Sequence, residues 1–293
     1  MDKNLISKYG VVLGKNLSNL NRFGVGGKAE YFFEPKSRNE LLSFLKENSV
    51  KPITMLGGGS NALILDNGIK GVVIATKRLN KFFFDKNNVL TCEAGLSNAK
   101  LYAITRDRGI GGYEFLGTIP GSVGGACITN AGCYGGEIKN NVLGVKISDW
   151  NGNTRRLDNE ECKFSYRSSG FAERDIILEI YFKTDEARPK EEIEEIFREN
   201  MRKREASQPY YEKTCGSTFK NCGETPAWKI IQELGLQNVD FNGCKFSEKH
   251  ANFLVNHGHC ASRDLKGLID LAMEKCAREK HINLELEVKI LGE

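Results

Sequence analysis

Apolar residues fall into short blocks through the first half of the chain and into helical spacing near its end. AEYFFEP (29–35) predicts a strand stopped by Pro35. In SRNELLSFLKEN the pair Ser37 and Glu40 makes a capping box, which predicts a helix. PITML (52–56) predicts a strand entering the loop GGGSN (57–61), ALIL (62–65) is apolar again, and Asp66-Asn67-Gly68 signals a turn. GVVIAT (71–76) predicts another strand and residues 81–94 a hairpin. SNAKLYAITRDRG (97–109) predicts a helix with Ser97 as its cap and Gly109 past its end.

Residues 109–144 read as glycine-rich loop with little helix, followed by hairpin-like runs at 145–150 and 175–183. Pro189 opens a long helix to about Ala206, with acidic residues early and Arg202, Lys203 and Arg204 late, the order that suits a helix dipole. Thr225-Pro226 opens another helix that ends at Gly235, and Ser262 caps a third running to about Lys280. LELEVKIL (284–291) alternates as a terminal strand. The first half is strand-rich and the last third more helical, which puts a boundary near 186–189.

Length agrees with this division, since 293 residues suggest about two domains, each on the order of 150 residues. No apolar run reaches the roughly 18 residues that span a bilayer, and MDKNLISKYG lacks the apolar stretch of a signal peptide. A cytoplasmic protein without a membrane partner is expected. The formal net charge is only +4, and the densest charged stretch (190–205) mixes both signs, so a nucleic-acid partner is not expected. The nine cysteines include no C-x-x-C. His257, His259 and Cys260 come nearest to a metal-ligand set, but reduced thiols without a metal are the simpler reading.

Glycine changes the picture. Of 31 glycines, three sit at Gly24, Gly26 and Gly27, three at Gly57, Gly58 and Gly59, and eleven between Gly109 and Gly144. Such clusters mark tight turns or backbone brought close to a ligand. Gly57-x-Gly59-x-x-Ala62 matches the dinucleotide pattern formally, but that pattern works only at the start of a helix, and here a short strand and a turn follow. No phosphate-binding P-loop pattern is present either. A glycine loop between strands can still hold a diphosphate on successive backbone N–H groups, with Ser60 and Asn61 as side-chain donors. The second loop, GTIPGSVGGACITNAGCYGG (117–136), sets apolar Ile119 and Val123 among flexible residues, which suits a flat, partly apolar ring such as that of FAD.

GGGSNALILDNGIKGVVI and GTIPGSVGGACITNAGCYGGEI resemble the flavin-binding half of the UDP-N-acetylenolpyruvoylglucosamine reductase (MurB) family. The resemblance continues in order through SYRSSGF (165–171), CGSTFKN (215–221), SEKHANFLVN (247–256) and LELEVKILGE (284–293), nearly the whole chain. It implies an α+β fold: a two-lobed, PCMH-type FAD-binding domain over 1–188 (lobes roughly 1–79 and 80–188), a smaller α/β substrate-binding domain over 189–282, and a terminal strand, 283–293, carrying the catalytic glutamate. It also implies NADPH-dependent, FAD-mediated reduction of an enolpyruvyl ether on UDP-N-acetylglucosamine to UDP-N-acetylmuramate for peptidoglycan, with FAD held non-covalently. SYRSSGF passes straight to DIILEIYF, leaving no room for the Tyr-bearing loop of longer members, so the chain is similar to the shorter type. Asn21-Arg22-Phe23, Cys222 after Asn221, and Trp228 depart from the family's usual Asn-Thr-Phe, Asn-Pro and small residue.

In that reaction hydride addition leaves negative charge across a carbon and the neighbouring carboxylate, and a proton must then reach that carbon; the protein supplies orientation, charge and the proton. Arg167 could equally form a structural ion pair, Glu287 could be a surface carboxylate and Ser217 a turn residue. The resemblance implies that Arg167 grips the carboxylate, Glu287 hydrogen-bonds to the developing charge and Ser217 is the proton donor; Lys213 and Lys220 are candidate helper cations by nearness in sequence alone. It assigns substrate contacts to Tyr166 and Asn221. Flavin contacts go to Gly57, Gly58, Gly59, Ser60, Asn61, Ile119, Pro120, Gly121, Ser122, Gly125, Ala126, Asn130, Ala131, Gly132 and Arg204. His250 reads as scaffold. The residues alone also admit a related flavin oxidoreductase that tethers FAD through Cys127 or Cys133, and a non-catalytic nucleotide-sugar binder.

Overall fold

The computed structural model describes residues 1–258 and 260–293, so of the candidate metal-ligand set His259 lies outside the described residues. The chain divides into two units assembled from interleaved stretches. One comprises Met1–Leu13, Tyr31–Gly58 and Gly71–Arg202; the other comprises Gly14–Glu30, Gly59–Lys70 and Lys203–Glu293.

The first unit is built on a five-stranded antiparallel sheet in the order Thr154–Asp158, Val142–Ser148, Ile176–Phe182, Leu90–Glu93, Phe82–Phe84. IILEIYF is the central strand and is buried at nearly every position, which explains an apolar run broken only by Glu179; the edge strand TRRLD buries only Leu157. Glu93 and Glu179 stand directly opposite across the central pair, and Arg38 bridges both carboxylates. Leu90, Cys92, Leu101, Val123, Cys127, Val145 and Ile180 form the core on this sheet. A second core gathers Tyr9, Phe33 and Phe44, the last two 4.3 Å apart between ring centroids, against Leu41, Ile53, Val72 and Ile74. There Ile53–Leu56 pairs in parallel with 72–75.

The expected helices appear with their caps. Ser37 Oγ accepts from Glu40 N–H at 3.2 Å at the start of Arg38–Glu47, and Ser97 Oγ accepts from Lys100 N–H at 3.1 Å at the start of Asn98–Asp107. The Glu40 carboxylate takes the N–H of Lys36, one residue before the cap, so the box at Ser37 is not reciprocal. The stretch 109–144 holds more helix than its glycines suggested: Glu114–Gly117 and Val123–Ile128. The second is capped by Ser122 and seats Gly124 against Ala94, where a Cβ would come within 2.8 Å of the alanine Cβ. Close packing on the sheet, not loop freedom, requires that glycine.

The second unit is packed around Phe23, Leu63, Phe219, Ile231, Phe246, Leu265, Leu268 and Ala272. It contains helices Ala227–Glu233 and Ser262–Lys280 and the antiparallel pair Cys244–Phe246 and Leu254–Asn256. Ser262 is not the cap of its helix: Ala261 holds that place, and the Asp264 carboxylate accepts the Ala261 N–H at 2.8 Å. The terminal strand is shorter than its alternation suggested, Lys289–Leu291, and pairs in parallel with Ala62–Ile64. Residues 285–287 run instead beside 218–220, with Leu286 opposite Phe219.

Candidate functional site

In the first unit, Gly57 and Gly58 lie against the second glycine loop. A Cβ on Gly57 would stand 2.7 Å from Ser122 Oγ, and one on Gly58 would stand 2.9 Å from Gly121 Cα. These two glycines are therefore required by the contact of one loop with the other. Ser122 Oγ accepts the N–H of Gly125 at 3.4 Å, while Val123 and Gly124 donate to the carbonyls of Leu96 and Ala94 at 2.9 Å each. Asn98 holds the same loop from below: its N–H donates to Gly121 O at 3.1 Å and its Nδ2 to Ile119 O at 3.0 Å. Ala131 N–H donates to Ala126 O at 2.8 Å, so Ile119, Pro120, Gly121, Ser122, Gly125, Ala126 and Ala131 belong to one strapped segment.

Arg167 sits at the tip of a tight turn in which Ser165 and Ser168 exchange backbone hydrogen bonds at 3.1 and 3.2 Å. Its φ is +50°, a left-handed conformation rare for a non-glycine residue. Arg167 Nη2 donates to Gly132 O at 2.7 Å, and its guanidinium carbon lies 5.2 Å from the centroid of the half-exposed Tyr166 ring. Asn130 is fully buried, and its amide serves the protein: Nδ2 donates to Ser165 O at 2.9 Å and Oδ1 accepts Lys139 N–H at 3.2 Å.

In the second unit, Gly59 (φ +60°) packs so closely on residues 20–21 that a Cβ would fall 1.9 Å from Leu20 O. Half-buried Ser60 follows it, and Asn61 Nδ2 donates to Glu287 O at 3.0 Å. Glu287 N–H donates to Thr218 O at 2.9 Å, so the backbones beside Ser217 and Glu287 are joined although 70 residues separate them in sequence. Both Ser217 and Glu287 are half-buried. The segment CGSTFKN is held by Asn252, whose carbonyl accepts Thr218 N–H at 2.7 Å and whose side chain bonds both sides of Phe219. Lys220 is paired with Glu285 at 2.5 Å rather than left as a free cation beside the serine. Asn221 Oδ1 accepts Ala227 N–H at 3.1 Å and so steadies the start of the next helix.

His250 Nδ1 accepts Asn252 N–H at 3.3 Å, and burial pushes its pKa down, which suits a neutral scaffold residue. Burial pushes the Cys127 thiol far above its ordinary range, which disfavours the thiolate a nucleophile needs. Among the described residues no group of three or more His, Cys, Asp or Glu could hold a metal ion, and no helix is long and apolar enough to cross a membrane.

Arg204 Nε and Asn98 Oδ1 have no hydrogen-bond partner among the described residues. A buried donor or acceptor without a partner costs about 1–3 kcal/mol, so each calls for one from a ligand or water. FAD carries phosphate oxygens, the complement of the Arg204 guanidinium, and that residue fits it. Sequence reasoning did not find Asn98 or Asn252, because their partners are backbone groups distant in the chain.

A family model for the C-terminal domain of UDP-N-acetylenolpyruvoylglucosamine reductase matches residues 208–291, and one for an FAD binding domain matches 29–158. The chain is 38% identical over 279 residues to the UDP-N-acetylenolpyruvoylglucosamine reductase of Rickettsia massiliae, covering 94% of each. It is 40% identical over 273 residues to that of Carboxydothermus hydrogenoformans, covering 92% of this chain and 90% of the relative. The crystal structure of the Thermus caldophilus reductase superposes with a TM-score of 0.82 at 30% identity, covering 96% of this chain and 98% of that one. An interleaved α+β fold, two glycine loops packed on one another and this similarity along nearly the full length have one explanation: the chain belongs to the UDP-N-acetylenolpyruvoylglucosamine reductase (MurB) family.

Proposed function

We propose that the chain catalyses the NADPH-dependent, FAD-mediated reduction of UDP-N-acetyl-3-O-enolpyruvylglucosamine to UDP-N-acetylmuramate, a step of peptidoglycan synthesis, in the cytoplasm. Bound FAD supplies the hydride chemistry between NADPH and the enolpyruvyl group. The Arg167 guanidinium holds the substrate carboxylate, for which a planar and permanently charged fork is suited. Glu287 hydrogen-bonds to the charge that develops there, and Ser217 gives the proton to the adjacent carbon. The backbone hydrogen bond from Glu287 to Thr218, at 2.9 Å, carries this reading, because it ties together the neighbourhoods of two residues with complementary tasks.

Residues 57–61, 119–122, 125, 126 and 130–132 hold the cofactor, mainly through backbone, and Arg204, whose buried Nε has no partner among the described residues, contacts it. Tyr166 and the Nδ2 of Asn221, whose Oδ1 is already engaged, contact the UDP-sugar. By task, 1–188 is the FAD-binding portion, 189–282 the substrate-binding portion, and 283–293 the strand that delivers Glu287. The purified protein should be yellow with a flavin spectrum, bleach with NADPH and recover its colour when the enolpyruvyl nucleotide is added. A protein that cannot be loaded with FAD, or one that stays bleached with this substrate, would exclude the assignment.

A further inference from the structure

We propose that residues 128–132 form a strap that fixes the Arg167 turn, and that Asn130 is its positioning residue; the idea rests on the proposed role of Arg167 in gripping substrate. Three alternate positions on this short segment each bond a different part of the turn. Ile128 O accepts from Ser169 Oγ at 2.7 Å, Asn130 Nδ2 donates to Ser165 O at 2.9 Å, and Gly132 O accepts from Arg167 Nη2 at 2.7 Å. The strap thus reaches both ends of the turn and the guanidinium itself. Arg167 needs such support, because a non-glycine residue at φ +50° persists only where its surroundings impose that conformation.

Asn130 is suited to the central place. It is fully buried, adopts φ +41°, which asparagine tolerates better than most residues, and needs both a donor and an acceptor. The acceptor takes Lys139 N–H at 3.2 Å, and the donor reaches Ser165 O. Ser165 O also receives Ser168 N–H, so the asparagine bonds the carbonyl that closes the turn. The strap follows directly on the Val123–Ile128 helix packed against the sheet, so the position of the guanidinium is referred to the core of this unit.

Asn130→Asp is the discriminating variant. Its carboxylate can still accept from Lys139 but, when ionised, presents an oxygen to Ser165 O where a donor stood. Protonated, it can donate there again. The charged groups facing position 130 are Glu137, whose carboxyl is held low by Lys139 first and then by the Asn130 amide and Arg167, and those two cations themselves. Burial and the neighbouring Glu137 carboxylate raise the new acid's pKa, with the two cations opposing.

The test is stopped-flow flavin absorbance on FAD-loaded wild type, Asn130→Asp and Ser169→Ala, together with hydrogen exchange of the peptide spanning 163–171. For FAD-loaded Asn130→Asp we expect reoxidation by the enolpyruvyl nucleotide slowed about 10²-fold, as for a misplaced binding group, and slowed far more than bleaching by NADPH. The deficit relative to wild type should shrink as pH falls, and exchange over 163–171 should rise. Ser169→Ala, at the exposed end of the strap, should show the same pattern more weakly and serves if the aspartate variant does not fold. Wild-type reoxidation in the variants, equal damage to both half-reactions, or loss of FAD from Ser169→Ala would each overturn the strap. If wild type fails to reoxidise while exchange still rises in the variants, the proposed reaction is wrong and the strap stands.

Discussion

Asn252 commits both ends of its amide to the backbone of one residue: Phe219 N–H donates to Oδ1 at 3.0 Å, and Nδ2 donates to Phe219 O at 2.8 Å. The side chain thereby acts as a short strand beside CGSTFKN and holds the backbone two residues beyond Ser217. Asn252→Ala leaves both backbone groups of buried Phe219 without partners, which should cost roughly 2–6 kcal/mol, at about 1–3 kcal/mol per orphaned group. Urea unfolding of the apoprotein measures this. Asn252→Asp keeps the acceptor but, when ionised, buries a carboxylate against Phe219 O, so it should lose at least as much at neutral pH and recover as pH falls; a loss independent of pH would mean that bulk, not hydrogen bonding, is what matters.

Gly58 has no need of a left-handed backbone, yet a Cβ there would meet Gly121 Cα at 2.9 Å and its carbonyl carbon at 3.3 Å. Gly58→Ala should push the two glycine loops apart. Overpacking of this kind costs about 1–3 kcal/mol, and if that cost falls on the flavin-bound form, FAD affinity drops about 10–100-fold. Gly223 is the control: its φ is +61° with nothing within 4 Å of a Cβ, so alanine there should cost about 1–2 kcal/mol of stability and leave FAD binding alone. Quenching of flavin fluorescence on titrating the two apoproteins separates the effects, and undiminished FAD affinity in Gly58→Ala would show that the loops can yield.

What could be read in the sequence followed physical locality. Ser37 and Ser97 cap their helices because a cap is decided within four residues, and the run 175–183 reads as strand because its apolar residues, broken only by Glu179, are local too; that it is the central strand is decided by its distant partners. The Val123–Ile128 helix was hidden because its glycines have poor helix propensity; the use of Gly124 is against Ala94, some 30 residues away. Asn98, Asn130 and Asn252 carry no local signature either, since each bonds backbone that only the fold brings near. Ser217 beside a glycine and Glu287 in an alternating stretch look ordinary by themselves. Only the ordered resemblance of whole motifs singled them out.

Glu114 is nearly fully buried, and its Oε1 has no partner among the described residues. Burial raises its pKa above the ordinary value of 4.5, with Glu186 adding to the rise and Arg188 opposing it. A carboxyl that holds its proton more tightly in the folded state contributes that advantage fully below about pH 4.5. The advantage is lost as pH rises through the folded-state value. Glu114→Gln, which never ionises, should therefore match wild type in Tm near pH 4 and exceed it at pH 8. A variant less stable than wild type at pH 8 would mean that the ionised carboxylate is stabilised by contact with Arg188 after all.

Ser217→Ala addresses the proposed proton transfer. The hydroxyl acts only after hydride has reached the substrate, so the variant should bind FAD normally and bleach with NADPH near the wild-type rate. It should then remain reduced when the enolpyruvyl nucleotide is added. A general acid contributes about 10²–10⁴ in rate, which sets the expected loss in the second half-reaction. Ser217→Cys should recover part of it, because a thiol is the stronger acid although its longer bond misplaces the proton. Lys220 gives the serine little help, being neutralised by Glu285 at 2.5 Å, so Lys220→Met should slow reoxidation much less than Ser217→Ala does. Were Ser217 only a turn residue, alanine would lower stability and leave turnover per folded molecule unchanged. Running the half-reactions separately by stopped flow distinguishes these outcomes, and reoxidation of Ser217→Ala at the wild-type rate would remove the serine from the chemistry.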